Sequence, residues 1–317
     1  MAKGSGMTND KVTVASPATI SNLGSGFDVF GLALDEPFDV IDARIISGRN
    51  VIIDDIEGPG AESITRDPAR NSAGAAALAV LESSNADFGI ELRIKKGIRP
   101  YSGIGSSGAS AAGGAFVANL LLDSPLPMEE LVRCAAKAEQ ITSGSFHADN
   151  VGPAILGGFT IVKSYDPFRI LRMDVPNNLG IIVTMPNILV DTKEARKVLP
   201  QSVPLSSMVY EVGNAASLVL GMCREDISLI GDSMRDIVIE PARASLNPHI
   251  IEAEQAARDA GAAGAFLGGS GPCLIAIFDR SITNGDAIAS AVREVYTSNN
   301  IEVNTWITRA GQGCRRL

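Results

Sequence analysis

The sequence predicts two α+β units in tandem, and three observations predict it. Its 317 residues exceed what a single hydrophobic core usually fills. Both halves carry strand patterns followed by helix patterns, with no regular strand–helix–strand alternation. Between two strand-like runs, Pro176 and two asparagines interrupt the chain, which marks a boundary. Hydrophobic residues make up 45% and charged residues 20% of the chain, which excludes a mainly disordered protein.

In the first half, Lys11 to Ser16 alternates Val12 and Val14 on one face, as a strand does. Pro17 and a stretch rich in Gly, Ser and Asn up to Gly31 follow. Val40–Ile46 and Val51–Ile53 read as short strands. Ala69–Ser84 reads as an alanine-rich helix, and Gly89–Ile98 as a strand through Ile90, Leu92 and Ile94. A glycine-serine loop then leads into a small-residue helix over Ala109–Leu122. A further helix runs from Ser124 to near Gly144, with prolines at its start and Glu129 and Glu130 in its first turn. Gly157-Gly158 turns into a strand. A strand at Ile170–Val175 ends the first half, and in the second half we expect a strand at Leu179–Met185, then helices near Leu205–Arg224, Ile227–Ile237 and His249–Ala260. The strand pair Ala265–Leu267 and Leu274–Phe278, a helix over Asp286–Ser298 and a last strand complete it. Residues 1–6, MAKGSG, read as an appended expression scar before a native start at Met7, so residues 1–10 are expected to be a disordered N-terminus.

The net charge of −9 speaks against a nucleic-acid-binding face, which needs clustered Lys and Arg. It leaves nucleotide binding open, because backbone N–H groups at a helix start can hold phosphate with few basic side chains. Cys134, Cys223, Cys273 and Cys314 are scattered without metal-ligand spacing, so neither a zinc site nor a disulfide framework is expected. No run reaches the apolar length of a membrane span, and no basic segment leading into an apolar run opens the chain. A cytoplasmic protein is the expectation.

The richest signal is Pro100-Tyr101-Ser102-Gly103-Ile104-Gly105-Ser106-Ser107-Gly108-Ala109-Ser110, between a predicted strand and a predicted helix. Small residues let backbone approach a ligand, and a helix start supplies N–H donors and a favourable dipole for an anion. Three readings stay open on pattern alone: a nucleotide phosphate cradle, a dinucleotide fingerprint and a plain turn. The fingerprint wants a second strand ending in an acid about 20 residues on, and Asp123 instead opens a connection into another helix. Glu139 is a second signal. At about 100° per residue it falls in the apolar stripe with Met128, Val132 and Ala135, opposite Arg133, Lys137 and Gln140. An inward carboxylate is costly unless a cation, a metal or an ion pair meets it.

Three segments together resemble the GHMP kinase superfamily. Pro17-Ala-Thr-Ile-Ser-Asn22-Leu-Gly-Ser-Gly-Phe-Asp28 is similar to its first motif, Pro100–Ser110 to its phosphate loop, and Gly268-Gly-Ser-Gly-Pro272 to its third motif, which lies beside that loop. The resemblance covers nearly the whole chain. Within the superfamily the homoserine kinases are most similar, through Asn22–Gly31, Ala138-Glu139, His147-Ala-Asp-Asn150, Gly157-Gly158-Phe, Thr192-Lys-Glu-Ala-Arg196 and Glu240-Pro-Ala-Arg243. Tyr101, Ser102, Gly108 and the opening Gly268-Gly269 depart mildly from the common pattern.

The resemblance implies an N-terminal nucleotide-binding domain over 11–176, like the second domain of ribosomal protein S5. It implies a ferredoxin-like C-terminal domain over 177–317, with the active site between them. It implies ATP and Mg²⁺, the metal held by Glu139 and Ser107, and residues 100–110 with Asn71 around the nucleotide. It aims Arg196 and Arg243 at the carboxylate of L-homoserine and Asp28 at its ammonium. Asn22 and Asn150 would lie near the hydroxyl, with His147 and Thr192 lining the pocket. The plainer readings are a solvated arginine, a packed histidine and a capping asparagine. Asn150 stands where mevalonate-type members carry a catalytic aspartate, so the resemblance implies direct attack by the substrate hydroxyl with no side-chain base. Asp149 is the one nearby carboxylate that could stand in. A homodimer is also implied. Rival readings are a kinase for shikimate or mevalonate, a nicotinamide-dependent oxidoreductase, and a non-catalytic nucleotide- or RNA-contacting module.

Overall fold

A computed structural model describes residues 10–317; the reading of the opening residues as a scar lies outside the described residues, Asp10 apart. The chain runs β1 (Lys11–Ser21), β2 (Phe30–Ile46), β3 (Val51–Glu57), α1 (Ser72–Ser84), β4 (Gly89–Lys95), α2 (Ser106–Leu120), α3 (Met128–Ser143), α4 (Val151–Leu156), β5 (Phe159–Tyr165) and β6 (Phe168–Met173). It continues with β7 (Leu179–Pro186), α5 (Thr192–Lys197), α6 (Leu205–Arg224), α7 (Ile227–Asp232), α8 (Ile239–Arg243), α9 (Ile250–Asp259), β8 (Gly264–Leu267), β9 (Leu274–Asp279), α10 (Asp286–Ser298), β10 (Val303–Arg309) and β11 (Arg315–Arg316).

The first sheet runs β11-β1-β2-β4-β3, with β5 beside the near end of β2 and β6 beside β5. Period-2 alternation sends Ile90, Leu92 and Ile94 of β4 into a core shared with α1 to α4. α2 packs closely because it is built of Gly and Ala: a Cβ at Gly114 would stand 2.2 Å from the Ala73 carbonyl oxygen of α1. The second sheet has the order β10-β7-β9-β8, all neighbours antiparallel. With helices between β7 and β8 and between β9 and β10, this is the ferredoxin-like βαββαβ arrangement. α9 and α10 cover one face of that sheet. The other face joins Ile181, Val183, Ile275 and Ile277 to Phe30, Leu32 and Phe159 of the first sheet in one core.

Several elements differ from expectation. β1 continues through Pro17 to Ser21, with its register shifting between Pro17 and Thr19; a bulge is where a strand tolerates a residue without an N–H. α1 starts at Ser72 rather than Ala69 because Asn71 caps it, and α7 stops at Asp232. The short helices α4, α5 and α8 were not predicted. The tail leaves the second sheet after β10, and Arg315 and Arg316 pair with Ala15 and Val14 of β1. A cut at residue 177 therefore does not follow the strands of the first sheet.

Candidate active site

A cleft of about 390 Å³ opens between the two halves. The start of α2 forms part of its wall. Gly103 and Gly105 have φ of 77° and 68°, a left-handed turn that glycine adopts without strain. Gly105 precedes the helix, and no side chain caps the first turn, so its N–H groups point at whatever occupies the cleft. The third motif packs directly on this loop: a Cβ at Gly103 would lie 2.8 Å from the Gly271 carbonyl oxygen. Of the predicted loop, Pro100, Tyr101, Ser102, Gly103, Gly105, Ser106, Ser107 and Ser110 line the cleft, and Ile104, Gly108 and Ala109 do not. Ile104 is core, the Ala109 carbonyl accepts the Ser16 hydroxyl, and Gly108 backs onto Asn150. These three build the loop from behind.

Ser107 donates its hydroxyl hydrogen to Glu139 Oε2 at 2.8 Å, and Glu139 is 1% exposed. The stripe reading of α3 holds at Val132, Ala135 and Glu139, all buried, while Met128 is exposed. A hydroxyl and a carboxylate oxygen meeting beside the glycine-serine loop suit a hard, oxygen-preferring cation that keeps waters. Among the described residues no group of three or more His, Cys, Asp or Glu could hold a metal. At the far end of the cleft, Asn71 caps α1 through Oδ1 and donates Nδ2–H to the Thr65 carbonyl; it also lines the cavity with Ser63, Ile64 and Arg70.

Sequence reasoning missed a clamp under the loop. Lys96 Nζ pairs with Asp39 and also donates to Ser110 Oγ at 2.8 Å and to the Ser106 carbonyl at 3.2 Å. Asp39 Oδ1 accepts the N–H groups of Gly97 and Ile98. Both side chains are buried. A signal existed: Lys96 follows Ile90, Leu92 and Ile94 at the same parity, which places it on the inward face.

The other wall carries charge of both signs. Arg196 on α5 forms a two-pronged pair with Asp28, at 3.0 and 3.2 Å. Arg243 on α8 is buried and donates to the carbonyls of Gly269 and Ala195 at 2.7 and 3.2 Å. Burial, and then the nearby Arg196 charge, lower the Arg243 pKa. Both guanidiniums sit over the Phe27 ring, 5.9 and 5.3 Å from its centroid. Asn22 is occupied structurally, with Oδ1 accepting the Asp28 N–H and Nδ2 donating to the Gly269 carbonyl. Thr192 Oγ1 lies 3.4 Å from Ser270 Oγ.

Asn150 joins the two walls. Its Oδ1 accepts the Thr19 hydroxyl at 2.9 Å, so its donor end is what the cleft is offered, and it stands against Gly105 and Gly108 of the glycine-serine loop. Beside it, His147 Nδ1 lies 3.3 Å from Asp149 Oδ1. Burial pushes His147 down, but the hydrogen bond and charge of Asp149, helped by Glu139, outweigh it and raise the imidazole to about 9. Burial pushes Asp149 up, and the His147 bond and charge, with the Ser21 hydroxyl, bring it below its usual value. At neutral pH the pair is an imidazolium and a carboxylate.

Residues 71–158 match the family model for the GHMP kinases N terminal domain, and residues 218–298 that for GHMP kinases C terminal. A homoserine kinase of Halorubrum lacusprofundi is 40% identical over 302 residues, covering 95% of this chain and 98% of that one. The crystal structure of homoserine kinase from Cytophaga hutchinsonii aligns with a TM-score of 0.92 at 35% identity over 100% of both chains. That of L. major mevalonate kinase with R-mevalonate gives a TM-score of 0.70 at 16% identity, over 99% of this chain and 100% of that one. This last likeness is one of fold.

Proposed function

The chain belongs to the GHMP kinases, in their homoserine kinase branch, and from that premise we propose that it transfers the γ-phosphate of ATP to the side-chain hydroxyl of L-homoserine, giving O-phospho-L-homoserine. The observation that carries the reading is one cleft with two unlike walls. One is an uncapped helix start beside a hydroxyl–carboxylate pair; the other is an Asp28, Arg196 and Arg243 set that matches an amino-acid zwitterion. The guanidiniums would take the carboxylate and Asp28 the ammonium. The start of α2 would hold the phosphates, and the Asn71 end of the cleft would take the nucleoside.

Ser107 and Glu139 are the residues we assign to Mg²⁺, which when bound would neutralise charge on the phosphates. The donor end of Asn150 would hold the hydroxyl or the γ-phosphate in line. No side chain serves as base in this reading. Asn150 takes up no proton at neutral pH, His147 already carries its own, and Asp149 is held in the ion pair below its usual pKa. The hydroxyl oxygen attacks phosphorus, the bond to the ADP oxygen breaks, and the hydroxyl proton leaves with a phosphoryl oxygen. A loose phosphoryl transition state asks for alignment and charge stabilisation rather than a strong base.

We further propose a cytoplasmic homodimer. No described helix is long and apolar enough to cross a membrane, and all four cysteines are free. Leu205, Met208, Val209 and Val212 leave an exposed apolar face on α6 that a second copy would cover. The substrate test is ADP release with MgATP and, in turn, L-homoserine, shikimate and mevalonate. Turnover with L-homoserine is expected, and a preference for either other alcohol overturns the assignment.

A further inference from the structure

Tyr165 closes β5 away from the groups assigned above, yet it ties together the two segments that carry them. Its phenol O–H donates to the main-chain carbonyl of Asp28 at 2.8 Å. Its oxygen accepts the N–H of Ala148, which stands between His147 and Asp149, at 3.4 Å. From the opposite side, Asn22 Oδ1 accepts the Asp28 N–H at 3.2 Å. Both main-chain polar groups of Asp28 are thus held by side chains, one from the start of its own turn and one from β5. Holding that turn matters, because Asp28 has a φ of 56°, a left-handed conformation that carries a cost for a residue with a Cβ even though Asp tolerates it better than most. The phenol ring is braced by Phe146 and Phe168, at centroid distances of 5.7 and 6.4 Å. Burial, and then the charge of Asp149, push the phenol well above its ordinary pKa. It remains a neutral O–H donor at any pH the enzyme would meet.

We propose that Tyr165 is a positioning residue for substrate recognition: by pinning Asp28 in its left-handed turn and tying that turn to the His147–Asp149 segment, it sets where the Asp28 carboxylate meets the ammonium of the amino-acid substrate. Tyr165 reaches neither the phosphate loop nor the Ser107–Glu139 pair, so its effect belongs to the amino acid and not to the nucleotide. This rests on the kinase reading above.

The test is Tyr165→Phe, which keeps the braced ring and removes only the hydroxyl. Loss of one such bond raises KM for L-homoserine about three- to tenfold, while KM for ATP and kcat stay within about twofold. In an Asp28→Asn background the same change adds less than about twofold, because the group it positions is already disabled. An unchanged KM for L-homoserine overturns the proposal. So does an equal rise in KM for ATP, which would mean general loosening. Failure of the unaltered protein to phosphorylate L-homoserine overturns the kinase reading itself, and it appears before any variant is made.

Discussion

At the scale of single residues, Glu139 carries the clearest prediction. Its inward position was legible because a charged residue broke an apolar helical stripe, and the Ser107 hydroxyl is what meets it. In Glu139→Gln the amide oxygen can still accept that hydroxyl, so the fold survives while a charged oxygen is lost. We expect kcat to fall by about two to four orders of magnitude with an unchanged circular dichroism spectrum; near-normal turnover would refute the metal role. His147 and Asp149 make a second prediction, about pH. The folded-state pKa of His147 is raised, so its contribution to stability is complete below the unfolded value near 6.5. It is lost as pH rises through about 9, a span of up to about 3 kcal/mol. Denaturant titrations at pH 6.5 and 9 should show that loss, and His147→Gln should shrink it. On sequence His147 is placed only as lining the pocket, because a linear chain does not display the charged neighbour that keeps the ring protonated.

Elements tell where sequence reading works and where it stops. Long patterned helices such as α6 and α10 were found residue for residue, and the inward face of β4 was plain. Thr192, Arg196 and Arg243, by contrast, sit on helices of five or six residues, too short for periodicity to register. Resemblance to a family found those three positions; pattern did not. The Lys96–Asp39 clamp is the reverse case, since parity alone pointed Lys96 inward. Its partner lies on β2, 57 positions away, and only the sheet brings the two together. Because both groups are buried, Lys96→Met leaves Asp39 as an uncompensated charge under α2. We expect a loss of about 3–5 kcal/mol of stability and a raised KM for ATP as the phosphate loop slackens. Adding Asp39→Leu should restore part of the stability, as measured by chemical denaturation, but not the KM.

For the whole molecule, the two α+β units foreseen in the sequence are present as sheets, each with a buried cluster of its own, but a third cluster spans both. Phe30, Leu32 and Phe159 share one buried cluster with Ile181, Val183, Ile275 and Ile277. Composition and the Pro176 break could suggest two units, yet nothing local in a sequence says which strand faces will meet. We therefore expect one cooperative transition on heating the full chain, seen by calorimetry. A fragment of residues 10–176 should expose that shared surface, bind a hydrophobic dye and melt without a sharp transition. Two separable melting peaks in the full chain would contradict this.

The return of β11 to β1 has a consequence for synthesis. On the ribosome, the stretch containing Val14 and Ala15 emerges early, whereas its partners Arg316 and Arg315 come after almost everything else described here. Until then the outer edge of β1, whose far end leads into the Asn22–Asp28 turn, is an open row of hydrogen-bonding groups. The nascent polypeptide thus carries an unsealed strand beside its future catalytic cleft through most of translation. A chaperone that shields such edges should bind it until those arginines are added, and a ribosome stalled at residue 309 should keep that chaperone engaged.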